Sequence, residues 1–259
     1  MFLIQALENW RVFSKKRSAQ SPEVKALRAL TNVMAYSSVI FDMDGVLLNS
    51  LIDGEEWKYR AVDRALQEKD IDPEGLAQED KDKVLGDKGY KACLKEASRL
   101  GVDPREIWSL VAQETTEARR EELEKGSFKL YPGVKDTIKA LHQQDIPMAV
   151  ISNAPESAVK MMVESFGLKQ YFKFYAGIRN FEDLRARKPH PNHLELAKAE
   201  LKRNPFIYIG DSNSDLEAAE RAGMDSICMR RSGDVESGHS FEAENISDIT
   251  KYVLEDRSE

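Results

Sequence analysis

The stretch that decides the fold is Val39–Ser50, which reads VIFDMDGVLLNS. Its apolar run, Val39–Phe41, has the character of a buried strand, and two aspartates follow at positions 42 and 44. Residues two apart on an extended chain point the same way, so the carboxylates of Asp42 and Asp44 lie close enough to repel each other. Such a pair raises a pKa or recruits a cation, which predicts a functional site. Gly45 then permits a sharp exit from the strand.

Composition narrows the class of protein. The chain has 259 residues, of which 41% are hydrophobic and 32% charged, and its formal net charge is −7. This acidic balance argues against nucleic-acid binding, which needs a basic face. No window approaches the roughly 18 consecutive apolar residues of a membrane span. The only two cysteines, Cys93 and Cys228, make no disulfide framework, which predicts a reducing, cytoplasmic location.

The first 34 residues predict a loosely packed N-terminal extension. A short apolar start is followed by basic residues, whereas a secretory signal places its positive charges first. The stretch that begins at Met34, MAYSSVIFDMDG, would open a compact domain directly at its first strand. Met34 is therefore a candidate second start.

From Ser38 onward, strand-like and helix-like segments alternate. We predict strands over residues 39–41, 147–151, 172–176, 206–210 and 225–229, and helices over residues 134–142, 159–166, 193–201 and 215–222. This alternation predicts an α/β fold, a Rossmann-like parallel sheet with helices on both faces. Ligands of such sheets bind beyond the carboxyl ends of the strands.

One interval, residues 51–127, is longer than a crossover between parallel strands requires. Its apolar residues recur at helical spacing, so we predict a small all-helical cap domain inserted between core segments 35–50 and 128–259. A highly charged stretch within it, TTEARREELEKG at residues 115–126, is predicted to be a solvated helix face.

Polar residues follow the other predicted strands. Ser152 and Asn153 come after the second strand, and Asp211 and Asp215 come after the fourth. Lys188 lies in a loop before Pro189, within RARKPHP. In a parallel sheet all of these residues converge on one edge.

The chemistry of this set suits a phosphate and a divalent cation. Clustered carboxylates repel one another unless a hard cation such as Mg²⁺ is bound, and Mg²⁺ leaves room for a substrate phosphate. Lys188 and the Ser152 hydroxyl would neutralise and orient the non-bridging oxygens. One of the two leading aspartates can attack phosphorus while the other moves a proton.

Taken together, the motifs resemble those of the haloacid dehalogenase superfamily. In chain order the matching residues are Asp42-Met43-Asp44-Gly45-Val46, then Ser152, then Lys188 before Pro189, and finally Gly210-Asp211 with Asp215. The similarity spans residues 38–229, and the place of the insertion is similar to that in the subgroup with a helical cap. Four motifs in order at strand ends are far more specific than any one of them.

The resemblance implies roles for the leading aspartates and the metal ligands. Asp42 would be the nucleophile and form a phospho-aspartate. Asp44 would protonate the leaving alcohol and then activate water, and its backbone carbonyl would reach the metal. Asp211 and Asp215 would complete the Mg²⁺ site with Asp42.

The remaining roles concern the substrate. Ser152 and Lys188 would hold the phosphoryl group, with a backbone N–H of Asn153 as a further donor. Caps of this subgroup present a loop over the site, so Lys88, between Gly86 and Gly89, is predicted to contact the substrate's own polar group.

The fourth motif, GDSNSD, is similar to that of the family's phosphatases for small phosphate esters, including phosphoglycolate. The sequence thus predicts a Mg²⁺-dependent phosphatase that acts on a small phosphorylated metabolite. Two alternatives stay open: a sugar phosphomutase on the same scaffold, and a non-catalytic module that binds a partner.

Overall fold

The computed structural model describes residues 36–51, 55–231, 235 and 239–254. The predicted N-terminal extension and Met34 lie outside these residues. In chain order the elements are β1 (Ser38–Phe41), β2 (Leu48–Asn49), α1 (Glu56–Gln67), α2 (Gln78–Leu85), α3 (Tyr90–Arg99), α4 (Pro104–Glu124), β3 (Lys129–Leu130), α5 (Val134–Gln143), β4 (Met148–Pro155), α6 (Glu156–Ser165), β5 (Phe172–Ile178), α7 (Asn192–Leu201), β6 (Phe206–Gly210), α8 (Asn213–Arg221), β7 (Asp225–Met229), β8 (Phe241–Ala243) and α9 (Ile249–Val253).

The predicted parallel α/β sheet is confirmed. Six strands pair in the order β5-β4-β1-β6-β7-β8, and every pairing is parallel. Strand β1 is central, because Val39 is in register with Met148 of β4 on one side and with Ile207 of β6 on the other. The carboxyl ends of β1, β4 and β6 are therefore neighbours.

Both faces of the sheet are covered by helices. Val39 and Phe41 pack with α5, α6 and α9 on one face, while Ile40 packs with α7 and α8 on the other. All three side chains are fully buried, and this alternation follows from the period of two along a strand. A strand buried on both sides reads as a continuous apolar run, as Val39–Phe41 does.

Helices α1 to α4 form the insert, which we call the cap. They bury a small core of their own, to which Val62, Leu66, Val84, Ile107 and Val111 contribute. The cap is joined to the main sheet on either side by the short antiparallel pair β2–β3. No helix among the described residues is long and apolar enough to cross a membrane.

The cap also packs on the core at a distance from its two connections. Trp108 of α4 and Cys93 of α3 share an apolar cluster with Phe181 and Leu184, which belong to a 3₁₀ helix after β5. The Arg187 guanidinium donates to the backbone and side-chain oxygens of Asp87 in the loop between α2 and α3. The cap is thus closed over the sheet edge.

Several observed elements are not among the predicted ones, including the short strands β2 and β3 and the helix α9. The main sheet has a sixth strand, β8, whose three residues carry no apolar run long enough to predict it. Between β5 and α7, where no element is predicted, Phe181–Ala186 form a 3₁₀ helix, and Asn180 caps it by accepting from the Asp183 N–H. Both cysteines are buried and unpaired.

Candidate active site

Three carboxylates meet where β1 and β6 end. Asp42 follows β1, and its backbone N–H donates to the Ile209 carbonyl at 2.8 Å, which fixes it beside β6. One oxygen from each of Asp42, Asp211 and Asp215 lies within 4.8 Å of the others. All three residues are at most 6% exposed. Buried carboxylates this close need a compensating cation.

The turn after β1 is built to let Asp211 approach. Gly45 has a φ of +79°, and a Cβ built there would lie 2.5 Å from the Asp211 Cγ. Only glycine combines this backbone conformation with that approach. The absent side chain of Gly45 therefore leaves room for the Asp211 carboxylate beside Asp42 and Asp44.

Lys188 is the cation among these carboxylates. Its ammonium donates to Asp42 Oδ1 at 2.7 Å, to Asp215 Oδ1 at 2.6 Å and to the Tyr208 hydroxyl at 2.9 Å. The side chain is only 3% exposed. Burial lowers the pKa of Lys188, but the charges of Asp215 and Asp42 outweigh burial and hold its pKa above the ordinary value, so it stays protonated.

The pKa of Asp42 is shifted in the opposite direction to those of Asp44 and Asp215. Burial raises the pKa of Asp42 well above its usual range, and repulsion by Asp215 and Asp211 adds to this, against the opposing charge of Lys188. Burial acts on Asp215 in the same direction, yet the charge and hydrogen bond of Lys188 keep its pKa below the usual value. A cation bound beside Asp42 would therefore reduce the repulsion between its carboxylate and those of Asp215 and Asp211.

Asp215 is held by the first turn of α8. Ser212 caps this helix and its hydroxyl donates to Asp215 Oδ2 at 2.5 Å, while the Asp215 N–H returns to Ser212 Oγ. The Tyr208 hydroxyl donates to Asp215 Oδ1 at 2.8 Å. These hydrogen bonds fix the Asp215 carboxylate in its position beside Lys188. Its contact with Tyr208 was missed by sequence reasoning, although a tyrosine within a buried strand needs a partner for its hydroxyl.

Ser152 and Asn153 lie at the edge of the same site, in the last part of β4. The Ser152 hydroxyl accepts from the Ala154 N–H at 3.1 Å and lines the cavity above the carboxylates. The Asn153 side chain brackets the backbone of Lys188: its Oδ1 accepts from the Lys188 N–H at 2.8 Å and its Nδ2 donates to the Lys188 carbonyl. Asn153 thus positions the lysine loop, a contact that its sequence position did not predict.

Asp44 has a partner that the sequence analysis missed. Arg119 of the cap helix α4 donates two parallel hydrogen bonds to it, Nη1 to Oδ1 at 2.8 Å and Nη2 to Oδ2 at 2.9 Å. The Ser50 hydroxyl donates to Oδ1 at 2.5 Å. Burial raises the pKa of Asp44, but Arg119 and Ser50 outweigh burial and lower its pKa below the usual value.

The prediction of a solvated face for residues 115–126 is therefore wrong on one side of the helix. Thr115, Arg119 and Glu122 are each at most 6% exposed, whereas Arg120 and Glu117 form an exposed pair. Positions 115, 119 and 122 continue the stripe that begins with Trp108 and Val111, at spacings of three and four. That periodicity was the available signal.

A cavity of about 460 Å³ opens over the carboxylates, between the cap and the sheet edge. Its outer wall is apolar, with Trp57, Trp108, Val111, Leu85 and Leu184 among its residues. Lys58, Arg187 and Asp87 add charges, with Arg187 Nη2 2.9 Å from Asp87 Oδ1.

Lys88 does not line this cavity, contrary to the prediction for the cap loop. Its ammonium lies 3.5 Å from Asp82 Oδ2 and its side chain is 51% exposed. The neighbouring Asp87, together with Lys58 of α1, faces the cavity instead. The loop is where it was predicted, but a different residue of it points inward.

Comparison with known proteins agrees with this geometry. Residues 39–229 match the model of a family described as haloacid dehalogenase-like hydrolase. The phosphoglycolate phosphatase of Pectobacterium atrosepticum is 28% identical over 203 residues, which cover 77% of this chain and 82% of the relative. That of Pseudomonas fluorescens is 31% identical over 194 residues, covering 73% and 67%.

The fold is shared with solved structures of lower identity. A β-phosphoglucomutase candidate from Thermotoga maritima superposes with a TM-score of 0.58 at 21% identity, covering 84% of this chain and all of the other. The family match includes all four motifs, from the strand before Asp42 to β7. The chain therefore belongs to the haloacid dehalogenase-like hydrolase family, as its motifs predict.

Proposed function

We propose that this phosphatase requires Mg²⁺ and hydrolyses small phosphate monoesters, phosphoglycolate among them, through a phospho-aspartate on Asp42. The observation that carries the proposal is the convergence of Asp42, Asp211 and Asp215 within 4.8 Å, with Lys188 between two of them. Relatives that cover most of the chain are phosphoglycolate phosphatases.

The donor set fits a hard divalent cation. Asp42, Asp211 and Asp215 offer carboxylate oxygens, the ligands that Mg²⁺ prefers. With Asp44 there are four carboxylates at this edge of the sheet, and Lys188 and Arg119 contact three of them, namely Asp42, Asp215 and Asp44. When bound, Mg²⁺ would offset the burial and the repulsion that together raise the pKa of Asp42, and it would neutralise phosphate oxygens.

The reaction needs two transfers at the same phosphorus. In the first, a carboxylate oxygen of Asp42 attacks phosphorus, and the bond to the ester oxygen breaks with its electron pair on that oxygen. Arg119 and Ser50 keep Asp44 ionised before the ester binds, so Asp44 takes the proton of the phosphate monoanion and passes it to that oxygen. In the second, water attacks the phospho-aspartate, its proton goes to Asp44, and the electron pair of the broken P–O bond returns to Asp42. Aspartyl-phosphate intermediates are an established use of a carboxylate nucleophile.

Lys188 and Ser152 would bind the phosphoryl group during both transfers. The Lys188 ammonium is buried and already contacts Asp42, so it lies beside the oxygen that attacks. The Ser152 hydroxyl lines the same cavity. Fixed donors of this kind stabilise the charge that develops on the non-bridging oxygens.

The test is phosphate release from a panel of small esters, with phosphoglycolate included, by the wild type and by Asp42→Asn. Each protein is assayed with Mg²⁺ and again with EDTA. Asp136→Asn is the matched control, since Asp136 is exposed on α5 and lies outside the cavity. We expect metal-dependent release by the wild type and the control, and none by Asp42→Asn.

Two results would contradict the proposal. Release that survives in Asp42→Asn would exclude a phospho-aspartate at this residue. No release from any ester by folded wild type would favour the phosphomutase or the binding module, and an assay for sugar-phosphate isomerisation would separate those two.

A further inference from the structure

The contact between Arg119 and Asp44 joins the cap to the residue assigned to proton transfer. Arg119 belongs to α4, the last helix of the cap, and Asp44 follows β1 of the sheet, 75 residues earlier in the chain. The arginine side chain is 7% exposed and makes a two-pronged contact, the strongest geometry available to this pair. The side chain of its neighbour Arg120 is 48% exposed and pairs with Glu117 of the same helix.

The two carboxylate oxygens of Asp44 accept different numbers of hydrogen bonds. Oδ1 accepts from both Arg119 Nη1 and the Ser50 hydroxyl. Oδ2 accepts from Arg119 Nη2 alone among the groups of the described residues. A carboxylate oxygen has two lone-pair sites, so Oδ1 is saturated and Oδ2 keeps one site. Oδ2 is therefore the oxygen that can carry a proton without breaking a contact.

Arg119 is itself held in place by residues on both connections between cap and core. Its guanidinium lies 4.6 Å from the ring centre of Trp57 in α1 and 6.0 Å from that of Phe128, which follows α4. Trp57 Nε1 donates to the Ser50 carbonyl at 3.1 Å. The frame that fixes Asp44 is thus completed only when the cap is seated on the core.

We propose that Arg119 is a positioning residue that acts through Asp44. It orients the carboxyl group so that Oδ2 gives a proton to the leaving alcohol and later takes one from the attacking water. The inference rests on the proposed phosphatase reaction and adds to it a requirement from the cap. The general logic is that of a catalytic base oriented by a third group.

The test uses esters that differ in their need for a proton. Glycerol phosphate and phosphoglycolate release alkoxides, which must be protonated, whereas p-nitrophenyl phosphate releases a stable phenolate. The value of kcat/KM reports the step in which Asp42 takes the phosphoryl group and the leaving group departs. Hydrolysis of the phospho-aspartate follows and is the same for all three esters.

For Arg119→Met we expect kcat/KM on both alkyl esters to fall by about 10- to 100-fold, since a positioned proton donor contributes at least about that much. On p-nitrophenyl phosphate kcat/KM should change little, while kcat falls because water activation also needs Asp44. A pre-steady-state burst of nitrophenolate should then appear. Arg119→Lys should recover part of the loss, and Arg120→Met, the matched control on the same helix, should resemble the wild type.

Each other result overturns the inference in a recognisable way. Equal losses of kcat/KM on all three esters would mean that Arg119 only stabilises the fold. A loss confined to phosphoglycolate would mean that Arg119 binds the substrate carboxylate, and unchanged kinetics would mean that it has no role. If the wild type hydrolyses none of the esters, the proposed function fails first and the inference falls with it.

Discussion

Gly45→Ala tests whether the approach of the loop after β1 to Asp211 matters for function. Carbon atoms in contact lie about 3.5–4.0 Å apart, whereas the new Cβ would lie 2.5 Å from the Asp211 Cγ. The carboxylate must therefore retreat by about 1 Å or more. A displacement of that size at a reacting centre can cost about 100-fold in rate. We expect a fall in kcat/KM of that order and a higher Mg²⁺ concentration for half-maximal activity.

The same substitution also costs stability, because an alanine at φ +79° adopts the left-handed region. That cost is about 1–2 kcal/mol in the free energy of unfolding. Gly223→Ala isolates it, since Gly223 has a φ of +65° and nothing within 4 Å of the added Cβ. Urea unfolding should show similar losses for the two variants, while phosphate release should fall only in Gly45→Ala. Activity of Gly45→Ala within about threefold of Gly223→Ala would refute the argument from misplacement.

Two further substitutions probe the buried polar groups of the site. Lys188→Met removes the cation shared by Asp42 and Asp215, and breaking a buried ion pair costs about 3–5 kcal/mol in the free energy of unfolding. Urea unfolding in EDTA should show this loss, and added Mg²⁺ should restore part of it, whereas a loss unaffected by Mg²⁺ would argue against metal binding at these carboxylates. Tyr208→Phe removes one donor to Asp215 and one acceptor from Lys188, so we expect a smaller loss of about 1–3 kcal/mol by the same measurement. An unchanged urea midpoint would show that water replaces the hydroxyl.

The sequence was most informative where a short motif ends a strand. Parallel pairing of β1 with β4 and β6 places the carboxyl ends of these strands at one edge of the sheet. Asp42, Ser152 and Asp211 therefore lie near one another because of the sheet topology alone. Ser212 and Asp215 form a capping box at the start of α8, a local pattern within four residues, although the predicted helix begins at residue 215 instead of Asn213. Strand β8 was not readable, because three residues at a sheet edge carry too weak a pattern.

Contacts between the cap and the core were beyond sequence reasoning, because they depend on how two separately packed units dock. Lys88 and Asp87 are adjacent in one loop, and no local rule says which of them turns toward the cavity. Arg119 and Arg120 pose the same problem on α4. There the apolar stripe through Trp108 and Val111 points to Arg119 as the inward residue, although it does not identify Asp44 as the partner.

The core and the cap contribute different residues to the candidate site, and Arg119, which sequence analysis missed, comes from the cap. Asp42, Asp211, Asp215 and Lys188 all come from the core, so the proposed metal ligands and the proposed attacking oxygen belong to one unit. The proposed proton carrier differs, because Asp44 accepts hydrogen bonds from a guanidinium that the cap carries as well as from Ser50. If the proposed reaction holds, the core supplies the attacking carboxylate, and the cap supplies the arginine that orients the proton carrier for attack by water on the phospho-aspartate.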